Sequence, residues 1–326
     1  MRTLFKAGLA ALSAVVAFAA SADGEFPSKP LKMVVPFAPG GASDAIARPL
    51  AQAMSGLLKQ PVIVENKPGA AGNIALELIA RAPADGYTLL LGNISTNAMN
   101  QTSYAGTLKI QPTKDLSAVG QVGVTPSVLV ASNAFPPKSA AEFVSYAKAN
   151  PGKINYWLPG VASGPHFDMV LLERHLGTTM TSVPYSGGAG PGLTALIAGQ
   201  VDIGLLSLVG ALPQVKSGKL KALAVSHPSR LPELPDVPTA AEAGLGSLTS
   251  SWQALFVPSA TPKPVLLKLH AALNQALASA EVKDAMNRAA TTIVLSSSPE
   301  EAQAWVVGET AKWARVIAES GIKPEQ

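Results

Sequence analysis

The sequence predicts an α/β fold of two domains, each a mostly parallel sheet flanked by helices, with two crossing strands as the hinge. Three observations predict it. Short apolar runs alternate with helical patterns, which favours parallel strands covered by helices on both faces. One glycine-rich motif occurs twice, about half a chain apart. Finally, the apolar run at residues 116–132 is long for a single strand, and residues 220–226 supply a second candidate crossing.

Candidate strands and helices alternate along the chain. The candidate strands cover residues 31–37, 61–65, 87–91, 119–130, 153–157, 180–185, 201–206, 220–225, 254–257 and 292–295. Helical patterns fill the intervals, and several begin with a capping box, in which Ser or Thr is followed three residues later by Glu. Such boxes start at Ser139, Thr239 and Ser298. The proline-rich piece at residues 228–238 is typical of a surface loop.

The two crossings divide the chain into a discontinuous first domain and an inserted second domain. We expect the first domain to comprise residues 23–125 plus 226–326, and the second to comprise residues 126–225. In an open α/β sheet, ligands bind outside the carboxyl ends of the strands. Two sheets that share a ligand therefore present those ends to each other across a cleft.

The chain begins with the features of an export signal. Two basic residues precede an apolar stretch at residues 7–19, which is too short to span a membrane. The small residues at 20–22 fit a signal-peptidase site, so we predict a signal peptide of residues 1–22 that is cleaved after Ala22. An amphipathic helix of the fold is the alternative, but the segment has neither a polar face nor an acid.

Composition excludes several classes of function. The formal charge of +4 falls to +2 when the signal peptide is removed, because that segment carries Arg2 and Lys6 and no acid. The sequence has no dense run of basic residues, which argues against nucleic-acid binding. The absence of cysteine excludes disulfides and thiolate metal sites. The histidines lack the spacing of a zinc site, and no G-x-S-x-G sequence indicates a hydrolase. We therefore predict no cofactor, no metal and no catalytic residue.

The repeated motif reads V-P-F-A-P-G-G-A at residues 35–42 and V-P-Y-S-G-G-A-G at residues 183–190. Each copy follows a strand pattern and precedes a helical pattern. A helix N-terminus carries unpaired N–H groups and a partial positive charge, which attract anions. Neither copy contains Lys or a nucleotide-binding glycine pattern, so a carboxylate is favoured over a nucleotide phosphate. The structural alternative is a tight turn that needs glycine for its geometry.

Candidate ligand residues lie in these loops and near two other strands. In the first loop they are Phe37, Ala38, Gly41, Ser43 and Asp44, and in the second they are Ser186, Gly187, Gly188 and Ala189. Further candidates are Ser95 and Asn97 after the third strand, and Trp157, Ser163 and His166 at and after the fifth. The structural alternatives are helix capping by Ser43 or Asp44, and a capping or core position for His166. A third glycine loop, residues 66–73, is either the rim of the same cleft or a surface connection.

Several motifs together carry a family resemblance over nearly the whole mature chain. They lie at residues 27–30, 35–41 with 43–44, 64–69, 82–88, 183–185, 198–202, 234–239 and 251–252. On these residues the chain resembles the Bug-type solute-binding proteins of tripartite tricarboxylate transporters. The resemblance implies a periplasmic, flytrap-like protein of two α/β domains. It also implies that backbone and hydroxyl groups of the two glycine loops hold a ligand carboxylate, partly through water. Such proteins are usually monomers that pass their ligand to a membrane permease, and some signal to sensor kinases.

Departures from the family pattern suggest the ligand class. Many family members have His where this chain has Asn97 and an acid where it has Leu206, and Trp157 stands where small residues are usual. Loss of the acid removes the counter-ion of a ligand ammonium, which disfavours an amino acid. Together with Phe167, these side chains favour an aromatic or otherwise apolar-bodied mono- or dicarboxylate, followed by aliphatic C4–C6 dicarboxylates.

Two other classes of function stay open at this point. A sensing accessory of a membrane kinase would use the same cleft and the same closed form. An exported serine hydrolase that uses Ser186 or Ser163 with His166 is a remote third alternative, because the sequence has no nucleophile elbow.

Overall fold

The computed structural model describes residues 26–40, 42–161, 163–185 and 189–322. The predicted signal peptide lies outside these ranges, as do the loop residues Gly41, Ser186, Gly187 and Gly188 and the side chain of Ala189. None of the helices within these ranges has the length and apolar character that crossing a membrane requires.

The described residues form two sheets. The strands are β1 (Leu31–Val35), β2 (Val62–Asn66), β3 (Thr88–Asn93), β4 (Leu116–Thr125), β5 (Ser127–Ser132), β6 (Asn155–Leu158), β7 (Thr181–Pro184), β8 (Ile203–Ser207), β9 (Leu220–Val225), β10 (Ser251–Pro258) and β11 (Thr292–Ile293). The first sheet has the order β11-β4-β10-β3-β1-β2, and the second has the order β7-β6-β8-β5-β9. Each predicted strand has a counterpart. The strand predicted at residues 119–130 is in fact two strands, β4 and β5, one in each sheet.

Both sheets are mixed, although most strands of each run in one direction. β1 pairs in parallel with β2 and β3, and β6 pairs in parallel with β7 and β8. β10 is antiparallel to β3 and β4, and β5 is antiparallel to β8 and β9. The reversed strands are those that enter a sheet from the other one, β5 and β10, together with the short edge strand β11. The predicted fold class of two α/β domains joined by crossing strands is confirmed.

Helices cover both sheets. They are α1 (Ala42–Leu58), α2 (Asn73–Ala80), α3 (Ala140–Ala149), α4 (Gly164–Leu176), α5 (Ala189–Ile197), α6 (Leu208–Lys216), α7 (Lys263–Ala278), α8 (Ala280–Arg288) and α9 (Pro299–Ser320), with single turns at Ala70–Gly72, Asn100–Ser103 and Pro112–Asp115 and a π-helical turn at Ser95–Met99. On the first sheet, α1, α7 and α8 pack on one face and α2 and α9 on the other. On the second, α3 and α4 cover one face and α5 and α6 the other.

Two of the predicted capping boxes start helices. The hydroxyls of Ser139 and Ser298 accept hydrogen bonds from backbone N–H groups three residues later, at 3.2 and 3.1 Å. Thr239 and Glu242 also make the reciprocal bonds of a capping box, at 3.1 and 2.9 Å, but only a turn follows. Gly244 ends that turn with φ +68°, in the left-handed region. The predicted helix at this position is therefore wrong.

The two sheets are joined at a narrow junction. On the outward path, Pro126 separates β4 from β5. On the return path, the hydroxyls of Ser226 and Ser250 lie 3.0 Å apart, so the segment between these two residues begins and ends at the same place in the junction. Leucines of that segment pack in the two core clusters of the second sheet. This packing favours a return boundary at Ser250 instead of residue 226, and the outward boundary at residues 125–126 stays a prediction.

Candidate functional site

The carboxyl ends of the parallel strands in both sheets point to one cleft. β1, β2 and β3 run in the same direction as β4, which ends at Thr125. β6, β7 and β8 run opposite to β5, which begins at Ser127. Because one residue lies between β4 and β5, both sets of strand ends meet where the two sheets join. Ligands of open α/β sheets bind at this edge.

Asp44 holds the first loop in place through its hydrogen bonds. It lies in the first turn of α1 and is 4% exposed. Its carboxylate accepts hydrogen bonds from the Gly40 N–H (3.0 Å), from Nε and Nη2 of Arg48 (2.9 Å each) and from Asn66 Nδ2 (3.0 Å). Burial by itself would raise the pKa of Asp44, but these donors outweigh it and the pKa is lowered. The carboxylate is thus ionised and fully engaged, which supports the structural alternative over ligand contact.

The rest of the first loop lies between the carboxyl end of β1 and the start of α1. Phe37 is half-buried and its carbonyl accepts a hydrogen bond from Asn66 Nδ2 at 3.0 Å, while Ala38 is exposed. Gly40 has φ +83°, which lets the chain turn sharply into α1. Ser43 is buried in the first turn of α1, where backbone N–H groups lack helical partners. This edge therefore carries the positive end of a 17-residue helix.

The loop after β3 forms a tightly packed π-helical turn. Asn97 is 1% exposed, and its Oδ1 accepts a hydrogen bond from Thr96 Oγ1 at 2.7 Å. A Cβ at Gly92 would lie 2.0 Å from Asn97 Oδ1, so the carboxamide fills the space over that glycine. The Asn97 carbonyl accepts a bond from Thr310 of α9 at 3.2 Å. The structure therefore turns Asn97 into the layer beneath α9, and the half-buried Ser95 lies nearer the surface.

The third glycine loop is fixed against this turn. Asn100 Nδ2 donates to the Ala71 carbonyl at 3.0 Å and to Asn73 Oδ1 at 2.7 Å. A Cβ at Gly72 would lie 2.5 Å from Thr96 Cγ2, so the loop approaches the turn as closely as glycine allows. This packing favours the rim of the cleft over a loose surface connection.

On the second sheet, α4 begins at the cleft. Ser163 is its N-cap residue, and the Ser163 hydroxyl is buried with no hydrogen-bond partner in the described part of the chain. A Cβ at Gly164 would lie 3.6 Å from Met99 Cε, so the start of α4 contacts the π-helical turn of the first sheet. His166 is half-buried and stacks on Phe167, and burial lowers the pKa of its imidazole. At neutral pH the imidazole is therefore uncharged.

Trp157, Leu206 and Phe167 lie in packed cores instead of lining the cleft. The indole of Trp157 is 2% exposed and lies between β8 and α5. A Cβ at Gly204 or Gly192 would fall 3.2 or 1.8 Å from its ring atoms. Leu206 belongs to the same cluster, and Phe167 is buried against α9. This packing does not support the expectation that these side chains form an aromatic and aliphatic wall. For Trp157, Gly192 and Gly204 make the room for the indole in the core.

Sequence reasoning missed Gln253. The residue lies near the start of β10, opposite Asn93 at the end of β3, and thus at the cleft edge of the first sheet. It is 3% exposed, and its Oε1 is buried without a partner among the described residues. Its sequence signal is its place just after Ser251 and Trp252, where the chain re-enters the first sheet.

The described residues offer little support for metal or hydrolase chemistry. Within them, no group of His, Asp and Glu side chains could hold a metal ion. Ser163 makes no hydrogen bond to His166, so this pair lacks the contact between nucleophile and base that a serine hydrolase needs. Ser186, the other serine considered, lies outside the described residues.

A family model and a curated relative agree with this geometry. The family described as "Tripartite tricarboxylate transporter family receptor", TctC, matches residues 46–322. This chain belongs to the TctC family. The receptor is 33% identical over 323 residues to Protein BugT of Bordetella pertussis, and the match covers 99% of this chain and 98% of BugT.

Two solved structures resemble the receptor over their full length. MatC from Rhodopseudomonas palustris with bound malate is 36% identical, with a TM-score of 0.77 over 90% of this chain and 100% of MatC. R. palustris Rpa4515 with adipate is 31% identical, with a TM-score of 0.81 over 92% of this chain and 100% of Rpa4515. TctC receptors are periplasmic solute-binding proteins that bind small carboxylates and work with membrane permeases.

Proposed function

We propose that this receptor captures a small dicarboxylate between its two sheets and delivers it to a permease of the tripartite tricarboxylate type. One carboxylate binds at the N-terminus of α1. The other binds on the second sheet, at the start of α4 and at the predicted second loop, Ser186 to Ala189. The mature protein, cleaved after Ala22, acts in the periplasm as a monomer. The ligand favours the closed form through its higher affinity for that form.

This proposal rests on Asp44, whose ionised carboxylate is charge-compensated by Arg48. A free carboxylate beside the first loop would repel an anionic ligand. Here Arg48 binds Asp44 through both carboxylate oxygens at 2.9 Å, and Gly40 and Asn66 occupy the remaining acceptor sites. What is left at this edge is the positive end of α1, which stabilises an anion by about 0.3–2 kcal/mol, depending on burial. Such an edge favours an anion over a neutral solute.

The opposite edge supports a second carboxylate. Ser163 places a buried, unpartnered hydroxyl at the N-terminus of α4, a helix of 13 residues. His166 beside it is uncharged at neutral pH, since burial lowers its pKa. The first turn of α4 therefore offers hydrogen-bond donors and carries no acidic side chain. Donor sites on both edges of a cleft suit a ligand with a carboxylate at each end.

The aliphatic C4–C6 dicarboxylates now rank ahead of the aromatic acids. The argument for an aromatic or apolar body rested on Trp157, Leu206 and Phe167, which are buried in packed cores. MatC and Rpa4515 were solved with malate and adipate, which are aliphatic acids of four and six carbons.

A thermal-shift screen of the mature protein tests the proposal. The panel holds succinate, malate, adipate, terephthalate and the uncharged dimethyl ester of succinate. A ligand at about 100 times its Kd stabilises by about 2.7 kcal/mol, which raises the Tm by several degrees. We expect the aliphatic dicarboxylates to raise the Tm and the ester to leave it unchanged. If terephthalate alone raises the Tm, the preferred ligand is an aromatic acid and the proposed carboxylate site is retained. If the ester raises the Tm as much as the acids do, anion binding is refuted.

A further inference from the structure

Gln253 occupies a defined place on the cleft edge of the first sheet. It pairs with Asn93 on one side and with Gly123 on the other, and Ser251 just before it pairs with Thr125, the last residue of β4. Along β10, Trp252 packs in the cluster beneath α9, while Leu255 packs in the cluster beneath α1 and α7. The alternation of side chains along a strand therefore puts Gln253 on the α1 face.

The carboxamide of Gln253 is unusual because neither of its polar atoms is bonded. Oε1 is buried without a partner, and Nε2 donates to no group in the part of the chain that the structure describes. The cross-strand neighbour Asn93 shows the contrast, since its Oδ1 accepts a hydrogen bond from the Thr96 N–H at 3.1 Å. Buried amides in folded proteins are normally satisfied. An unsatisfied one at a cleft edge is typical of a group that completes its bonds with a ligand.

The chemistry of an amide restricts what that ligand can be. A carboxamide has one acceptor oxygen and one donor NH2, and both need partners whichever way the amide is turned. A carboxylate offers acceptors only, so it can satisfy the NH2 group but never the oxygen. A hydroxyl offers a donor and an acceptor in one group. A ligand that carries a hydroxyl beside its carboxylate would therefore satisfy both ends of the Gln253 amide.

We propose that Gln253 is a specificity-determining residue that recognises a ligand hydroxyl, and that the receptor prefers 2-hydroxy dicarboxylates over their deoxy analogues. The inference rests on the proposed function, because the carboxylate must first be held at the N-terminus of α1. That N-terminus lies on the same face and the same edge of the sheet as Gln253. A hydroxyl on the carbon next to the bound carboxylate would therefore lie on the same face of the sheet as the Gln253 amide.

Isothermal titration with malate and succinate tests the proposal, since the two acids share a four-carbon skeleton and differ by one hydroxyl. The wild-type protein should bind malate about tenfold more tightly, which corresponds to about 1.4 kcal/mol. Gln253→Met keeps the length of the side chain and removes both polar groups. In this variant malate should weaken about tenfold, succinate should change by less than about twofold, and the preference should disappear.

Controls separate the possible outcomes. Gln214→Met, on α6 of the second sheet, should leave both affinities unchanged. Gln253→Asn retains a shortened amide and should lower the malate preference without abolishing it, which keeps the test available if Gln253→Met folds poorly. Equal wild-type affinity for the two acids, or an equal loss of both in Gln253→Met, overturns the role of Gln253 while leaving dicarboxylate binding intact. Failure of the wild-type protein to bind either acid or adipate overturns the proposed function itself.

Discussion

Replacing Asp168 by asparagine should stabilise the protein above pH 7 and have little effect near pH 4. Asp168 lies on α4, is 2% exposed and accepts a hydrogen bond from the Thr249 N–H at 3.0 Å. Burial is the largest influence on this carboxyl and raises its pKa from 3.8 to about 7, against the bonds from Thr249 and the charge of Lys312. Lys312 is half-exposed and lies 3.4 Å from Glu309, so it compensates Asp168 only in part.

The magnitude follows from the difference between the two pKa values. Between pH 3.8 and about 7, the folded protein keeps a proton on Asp168 that the unfolded chain has already released. The free energy of unfolding therefore falls as the pH rises through this window and levels off above it. A pKa difference of about three units corresponds to about 4 kcal/mol, so we expect a loss on the order of 2–4 kcal/mol. Asparagine has the same shape and accepts the same bond from Thr249, but it does not ionise.

Urea unfolding of the wild type and of Asp168→Asn at about pH 4.5 and about pH 8 measures this loss. The wild-type midpoint should fall between the two conditions by more than that of the variant. Asp284→Asn, an exposed acid on α8, is the matched control and should follow the wild type. Equal pH slopes in the wild type and Asp168→Asn would refute the reasoning. So would a variant less stable than the wild type at pH 8, since it would mean that Lys312 compensates the ionised carboxylate.

Two further substitutions test the packing and the first loop. Gly192→Ala should lower the free energy of unfolding by about 1–3 kcal/mol, because its Cβ would fall 1.8 Å from Trp157 Nε1. Combining it with Trp157→Leu should give a non-additive effect in urea unfolding, and strict additivity would contradict the contact. Arg48→Met leaves the buried charge of Asp44 unpaired beside the ligand, so we expect dicarboxylate affinity to fall about tenfold in titration calorimetry. Arg81→Met removes an exposed pair of the same spacing and should leave affinity unchanged, and an equal loss in both variants would contradict a local effect.

The fold was largely accessible from the sequence because its signals are local. Apolar runs of strand length and the capping boxes at Ser139 and Ser298 depend on residues within a few positions of each other, and they correspond to observed strands and helix starts. The box at Thr239 was misleading because its hydrogen bonds form around a single turn, which Gly244 ends before a helix can develop. The long run at residues 116–132 contains Pro126, whose missing N–H marks the break between its two strands.

The side chains of the site were harder to predict because their direction depends on distant residues. Trp157 follows a strand and precedes a turn, a pattern compatible with the cleft, yet Gly192 and Gly204 open a space for its indole inside the second sheet's core. Asp44 was recognised as a polar residue at the right helix start, but its partner Asn66 comes from the next strand. Gln253 carries no motif of its own, and its unpaired amide follows from strand pairing that a single sequence does not reveal.

The single proline between the two sheets restricts how they can swing. Thr125 is held on the first sheet by its hydroxyl, 2.8 Å from that of Thr291, and the Pro126 carbonyl accepts a hydrogen bond from the Leu208 N–H of the second sheet at 2.8 Å. The pivot is thus confined to the bonds between two clamped residues. The proline ring holds its own φ, and it confines Thr125 to extended conformations. Rotation between the sheets on this strand is therefore limited to ψ of Thr125, and the same proline keeps that angle within the extended range.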